Sequence, residues 1–237
     1  MVRLGIAALA LTAGLAACGG GASKADFVVK ADGACAPGNG TLGAMAKPTH
    51  LPELATAAGT VATTVDGQAD ALRKLDAPGD DKEVVAGLLT ALADVSGPAR
   101  ALKDAAGKAD DKVTAQAAND LKAKTDAAAV QAKSYGLADC ATGLQAPVTT
   151  VFEGGRTVLK AAFVARAESL CTAANKKADA LAAPTSSLPT IARYLTSYLV
   201  IEEKLFADIR ALAVPPGEEA TVADMLAAQD KVIANDK

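Results

Sequence analysis

Apolar residues recur every three or four positions along most of the chain. Leu51, Leu54, Ala58, Val61, Val65, Leu72 and Leu75 mark one face of a helix, with Gln68 as its one polar interruption. Leu188, Ile191, Leu195, Tyr198, Leu205, Ile209 and Leu212 mark another, interrupted by Glu202. Such spacing buries one side of a helix against its neighbours in a bundle. Val84, Val85, Leu88, Leu92, Val95 and Leu102 predict a further helix, which Pro98 kinks or restarts because proline lacks the donor N–H. An alanine-rich stretch from Asp110 to Ser134 predicts another. The helix near Ala25 to Leu42 is weakened by Pro37, Gly38 and Gly40, whereas that from Lys160 to Leu181 has no such breakers. Pro78-Gly79 and Pro215-Pro216-Gly217 end helices, and the acidic pairs just beyond suit the positive N-terminus of the next one. Residues 141–155 have the composition of a linker, with 148–152 as a short extended segment.

These elements repeat. Phe27, Val28, Ala31, Asp32, Cys35 and Asn39 line up with Phe163, Val164, Ala167, Glu168, Cys171 and Asn175 at an offset of 136. Leu51-Pro52 through Leu75 matches Leu188-Pro189 through Leu212 without a gap, at an offset of 137. Self-similarity of this length is a duplication of one structural unit. The expected architecture is all-α: an up-down four-helix unit over 25–140, a linker over 141–155, and an incomplete second copy over 156–237 that stops within its third helix. A partial bundle with an open apolar seam must pack on the first unit, associate with another copy, or remain partly disordered.

At the start of the chain, Arg3 precedes an uncharged, mostly apolar run from Leu4 to Gly14. That run is too short to cross a hydrocarbon core, which takes roughly 20 apolar residues, and it reads as an export signal. Leu15-Ala16-Ala17-Cys18 resembles the lipobox of bacterial lipoproteins: a branched aliphatic, two small residues, then cysteine. The resemblance implies cleavage between Ala17 and Cys18, diacylation of the Cys18 sulfur, and a lipidated tether over 18–24 after a signal peptide over 1–17. The remaining body is similar in composition and layout to alanine-rich, cysteine-bearing helical lipoproteins of high-GC Gram-positive bacteria. That likeness implies a place on the outer face of the cell membrane and brings no functional residues with it.

Composition narrows the chemistry. The 237-residue chain has a formal charge of −3, 3% aromatic residues and no tryptophan. Lysines interleave with aspartates and form no basic patch, which disfavours a nucleic-acid partner. Export favours disulfides, and in an up-down bundle the start of the first helix lies near the end of the fourth. Cys35 and Cys140 are therefore expected to pair. Cys171 takes the place of Cys35 in the second copy and is left as an unpaired thiol, from an incomplete unit or for an intermolecular link. His50, the only histidine, precedes the second helix and suits a solvated or capping role. One imidazole leaves no histidine cage for a metal, so neither metal nor cofactor is expected. Gly38-Asn39-Gly40-Thr41-Leu42-Gly43 fits G-x-G-x-x-G, but a helical segment precedes it where a dinucleotide site needs a strand. Asn39 and Asn175 suit hydrogen bonds to a neighbouring loop.

Glu202 either faces a ligand or ion beside Tyr194 and Tyr198, or is an acid at the solvent-exposed edge of an incomplete bundle. The functional expectation is a membrane-anchored, non-enzymatic helical module that binds a protein or cell-envelope component, with its second unit docked on the first or self-associated with another copy. The alternative is a solute- or ion-binding lipoprotein with a groove between the two units.

Overall fold

The computed structural model describes residues 23–235. Among them the chain is all-α, with no strand. The helices are α1 (Lys24–Gly43), α2 (Leu51–Arg73), α3 (Lys82–Gly107), α4 (Asp111–Tyr135), α5 (Ala138–Asp179), α6 (Leu188–Arg210) and α7 (Glu219–Asn235), with one 3-10 turn at Gly79–Asp81.

Helix ends follow local chemistry. The Ser23 hydroxyl accepts from the Asp26 N–H at 3.1 Å, and the Asp110 carboxylate accepts from the Val113 N–H at 3.1 Å, so each caps orphan amides of a first turn. Gly136 ends α4 at φ 111°, a left-handed conformation that suits glycine. Tertiary packing overrides the breakers elsewhere: α1 runs unbroken through Pro37, Gly38 and Gly40, and α3 through Pro98.

The stretch 141–155 is not a linker, and 148–152 is not extended. Both lie inside α5, whose 42 residues form one continuous helix. Cys140, Leu144, Val148, Val151 and Leu159 follow helical spacing on one face and are buried, so the apolar stripe holds the segment helical despite its glycines and Pro147. Those glycines are contact points. A methyl group at Gly154 would come within 2.5 Å of the Pro48 ring, and one at Gly143 would overlap the Asn39 side chain.

The first half of α5 therefore closes the core. α1 packs on α2 and α5, α2 on α3, α3 on α4, and α4 on α5. The start of α1 meets the end of α4 at Tyr135, and along its length α1 packs on α5. Phe27, Leu54, Val61, Val95, Leu102, Leu121 and Val148 are buried in one cluster at the centre of this ring. Burying each such side chain contributes about 1.5–3 kcal/mol. Cys35 and Cys140 form a disulfide with their Cα atoms 5.3 Å apart, and Cys140, just past the end of α4, stands in the first turn of α5. The Asp32 carboxylate accepts from the Cys140 N–H at 3.1 Å, which satisfies an otherwise free amide at that helix start.

In the second half the helix bounds recur where the duplication puts them. α6 spans 23 residues like α2 and opens with the same Leu-Pro pair. α5 ends at Asp179 as α1 ends at Gly43, and α7 begins at Glu219 as α3 begins at Lys82. Burial does not recur. α6 buries only Ile209, and no residue of α5 beyond Leu159 is buried.

Candidate functional site

Polar contacts tie α5 to the turn that precedes α7, and one joins α5 to α4. Arg156 donates from Nε to the Pro216 carbonyl at 2.9 Å and from its terminal nitrogen to the Glu153 carboxylate at 3.2 Å. Gly217 sits opposite at φ 80°, where a Cβ would press within 3.2 Å of the Arg156 Nε. Lys160 pairs with Glu218 at 2.9 Å, and the hydrogen bond and charge of that ammonium hold the Glu218 carboxyl below its usual range. Arg166 reaches the buried Asp111 in the first turn of α4 at 2.9 Å, while Asp111 Oδ1 accepts no hydrogen bond.

The Lys160–Glu218 pair has a relative in the first half, because Lys24 and Asp81 occupy the equivalent positions. There a phenol stands between cation and acid. The Lys24 ammonium lies 4.4 Å from the centre of the Tyr135 ring, and the Tyr135 hydroxyl donates to Asp81 at 2.9 Å. Burial pushes the Tyr135 phenol up to about 12, and the hydrogen bond to and charge of Asp81 add to the effect. In the second half, cation and acid meet directly.

The larger contrast is apolar. Leu54, Ala58 and Val61 of α2 are fully buried. Their counterparts on α6 are Ile191, half-buried, with Leu195 and Tyr198 exposed at 52% and 37%. Leu188 and Val200 are exposed at 81% and 59%. Cys35 is buried in its disulfide, whereas Cys171 is a free, half-buried thiol. Tyr194 and Tyr198 stack one turn apart, with ring centres 6.4 Å apart and planes 19° from parallel. Glu202 follows one turn further along the same face and is half-buried. A groove of about 300 Å³ between α5 and α6 has Leu170, Ala173, Ile201 and Leu205 in its walls, with Lys204 paired to Asp208 at its rim. The groove walls are apolar with Lys177, Lys204 and Asp208 among the lining residues, and Leu188, Leu195 and Tyr198 expose apolar surface on another flank of α6.

The remaining sequence-derived residues have structural roles. His50 caps α2: its Nδ1 accepts from the Glu53 N–H at 3.3 Å, and Nε2 lies 3.2 Å from the Glu53 carboxylate. Glu53 in turn accepts from the Thr49 N–H and hydroxyl, and these bonds lower its pKa. Asn39 donates to the Asp139 carbonyl at 2.9 Å and accepts from Gln68 at 2.9 Å. Gly38 belongs to α1 and lies against Gln68, so the glycine-rich hexad is helix rather than phosphate loop. Asn175 is exposed. Ala17 and Cys18 lie outside the described residues.

Arg156, Lys160, Arg166 and Glu218 were not anticipated. The signal for two of them was present, since Lys160 and Glu218 repeat Lys24 and Asp81. Among the described residues, no helix is long and apolar enough to cross a membrane. No family model matches the chain, and neither a curated protein nor a solved structure matches it.

Proposed function

We propose that the chain is a membrane-anchored lipoprotein facing outside the cytoplasm. Its helical body is a non-enzymatic interaction module, a first helical unit closed by the start of α5 and followed by a second copy of the same helix pattern. The observation that carries this reading is the open apolar face of α6 beside its buried counterpart on α2. Soluble monomers rarely expose large contiguous apolar patches, and those that do use them for contact. The Cys35–Cys140 bridge supports an oxidising compartment, and the residues around Cys18 support lipidation. Two acyl chains would hold the protein stably where one holds it marginally.

Two measurements test the reading. Metabolic labelling with a palmitate analogue should mark the wild-type protein in the membrane fraction and leave Cys18→Ala unlabelled. Equal labelling of both removes the anchor. A photo-crosslinking side chain at Leu195 of the anchored protein should give discrete adducts, while the same group at the exposed Lys112 of α4 gives only background. Indistinguishable patterns remove the interaction face.

A further inference from the structure

We infer that the face formed by α6 and the second half of α5 docks onto the same face of a second copy of this chain. The inference rests on reading that face as an interaction surface, and it names the partner.

The first half shows what such a face requires. There the equivalent helices, α1 and α2, have their outward apolar positions closed by other helices, and α5 brings Cys140 against Cys35. The cover for α5–α6 must likewise be helical, apolar on its facing side and poor in charge. Among the described residues, every exposed leucine, tyrosine or methionine lies between Leu188 and Met225, and the exposed large residues of the first half are isolated valines. The hairpin that offers such a face is thus α5–α6 itself.

A replica of the first-half cover would not fit. Where α2 presents the buried Ala57, Ala58 and Ala69, α6 presents Tyr194, Leu195 and Phe206. Helices shaped to close on alanines would collide with these larger side chains. Two identical knobbed hairpins can instead interdigitate around a two-fold axis, in the isologous arrangement usual for homodimers. The area is adequate. A 23-residue helix is about 35 Å long, and two helices about 10 Å wide give a face of roughly 700 Å². A standard interface buries about 800 Å² per partner.

The test uses residues 23–237 at about 1 to 100 µM, where interfaces of this size begin to associate. Light scattering coupled to size exclusion should report twice the monomer mass. Leu195→Asp and Tyr198→Asp, both at exposed positions, should each give the monomer mass while leaving the helical circular dichroism unchanged. A wild-type monomer throughout the range overturns the inference, as does a dimer indifferent to both substitutions. Alkylation separates this failure from failure of the interaction module. In the Cys171→Ser chain carrying Leu195→Cys, a monomer that reacts at the rate of a free peptide leaves the face open for a different partner. A monomer in which that position is protected has the face covered from within, and both readings fall.

Discussion

Gly143→Ala is a one-methyl change whose sign depends on a residue more than 100 positions away in the chain. Gly143 lies in the second turn of α5, against the side chain of Asn39 on α1. Asn39 donates to the Asp139 carbonyl and accepts from Gln68, which is buried and also donates to the Cys35 carbonyl at 3.1 Å. A methyl group at Gly143 displaces the Asn39 carboxamide and breaks both of its bonds. Two hydrogen bonds are worth about 1 kcal/mol each, and forcing extra volume into a packed contact costs about 1–3 kcal/mol. Replacing a helical glycine with alanine returns about 1 kcal/mol. The net cost is about 2–4 kcal/mol. Asn39→Ala alone should cost about 1–2 kcal/mol through the lost bonds. In that background the obstruction is gone, and Gly143→Ala should be neutral or stabilising by up to about 1 kcal/mol. Urea unfolding of the four chains, with unchanged slope, measures the cycle. The same cost for Gly143→Ala in both backgrounds refutes the contact.

Three further outcomes are expected. Leu54→Ala, at a fully buried position, should cost about 2–5 kcal/mol, whereas Leu195→Ala, at the exposed counterpart of Ala58, should move the monomer's stability by less than about 0.5 kcal/mol; equal costs in thermal melts contradict the burial contrast. Reducing Cys35–Cys140, which closes a separation of 105 residues, should lower stability by about 2–5 kcal/mol, and Cys171→Ser should leave the reduction effect unchanged. A non-reduced digest with Cys171 in the linked peptide would contradict this pairing. Because the Tyr135 phenol is raised from 10.0 to about 12 in the folded chain, its contribution is complete below pH 10 and fades as pH rises toward 12. Tyr135→Phe should flatten that part of the pH–stability curve relative to wild type, and an ordinary phenolate absorbance midpoint for Tyr135 would refute the burial argument.

Much of the fold was legible because periodicity is a local property. The stripe from Leu51 to Leu75 and its copy from Leu188 to Leu212 contain α2 and α6, and the stops at Pro78 and Pro215 fall just before the turns that start α3 and α7. The fate of 141–155 was not legible. Gly143, Pro147, Gly154 and Gly155 have linker composition, and only the opposing Asn39 and Pro48 explain why two of these glycines lie in a helix. The disulfide partners followed from bundle logic although the helix carrying Cys140 did not, because a residue just past α4 is in nearly the same place whether the chain stops there or begins α5. Tyr135–Asp81 joins residues 54 apart and Lys160–Glu218 residues 58 apart, with no local pattern to announce either. Only the duplication relates them.

Positions that correspond at the sequence offset carry different chemistry in the two halves. The first half keeps a polar clasp anchored on the buried Gln68, which reaches across to the half-buried Asn39, while Asn39 reaches the start of α5 and Gly143 makes room. Gln68, the buried member, needs these partners because water does not reach it, whereas an exposed amide bonds to solvent as readily. In the second half Asn175 persists at the Asn39 position but is exposed, and Leu205 replaces Gln68. A leucine there removes the partner the asparagine would need inside a core and adds apolar surface to the groove between α5 and α6. Glu202 stands where Val65 is fully buried, a replacement tolerable on a face with access to water and costly in a sealed interior. Together the replacements leave a more open and more exposed outward face than that of the first half. The second half therefore matches the first in the bounds of α6 and the start of α7, and differs from it in what its outward face exposes.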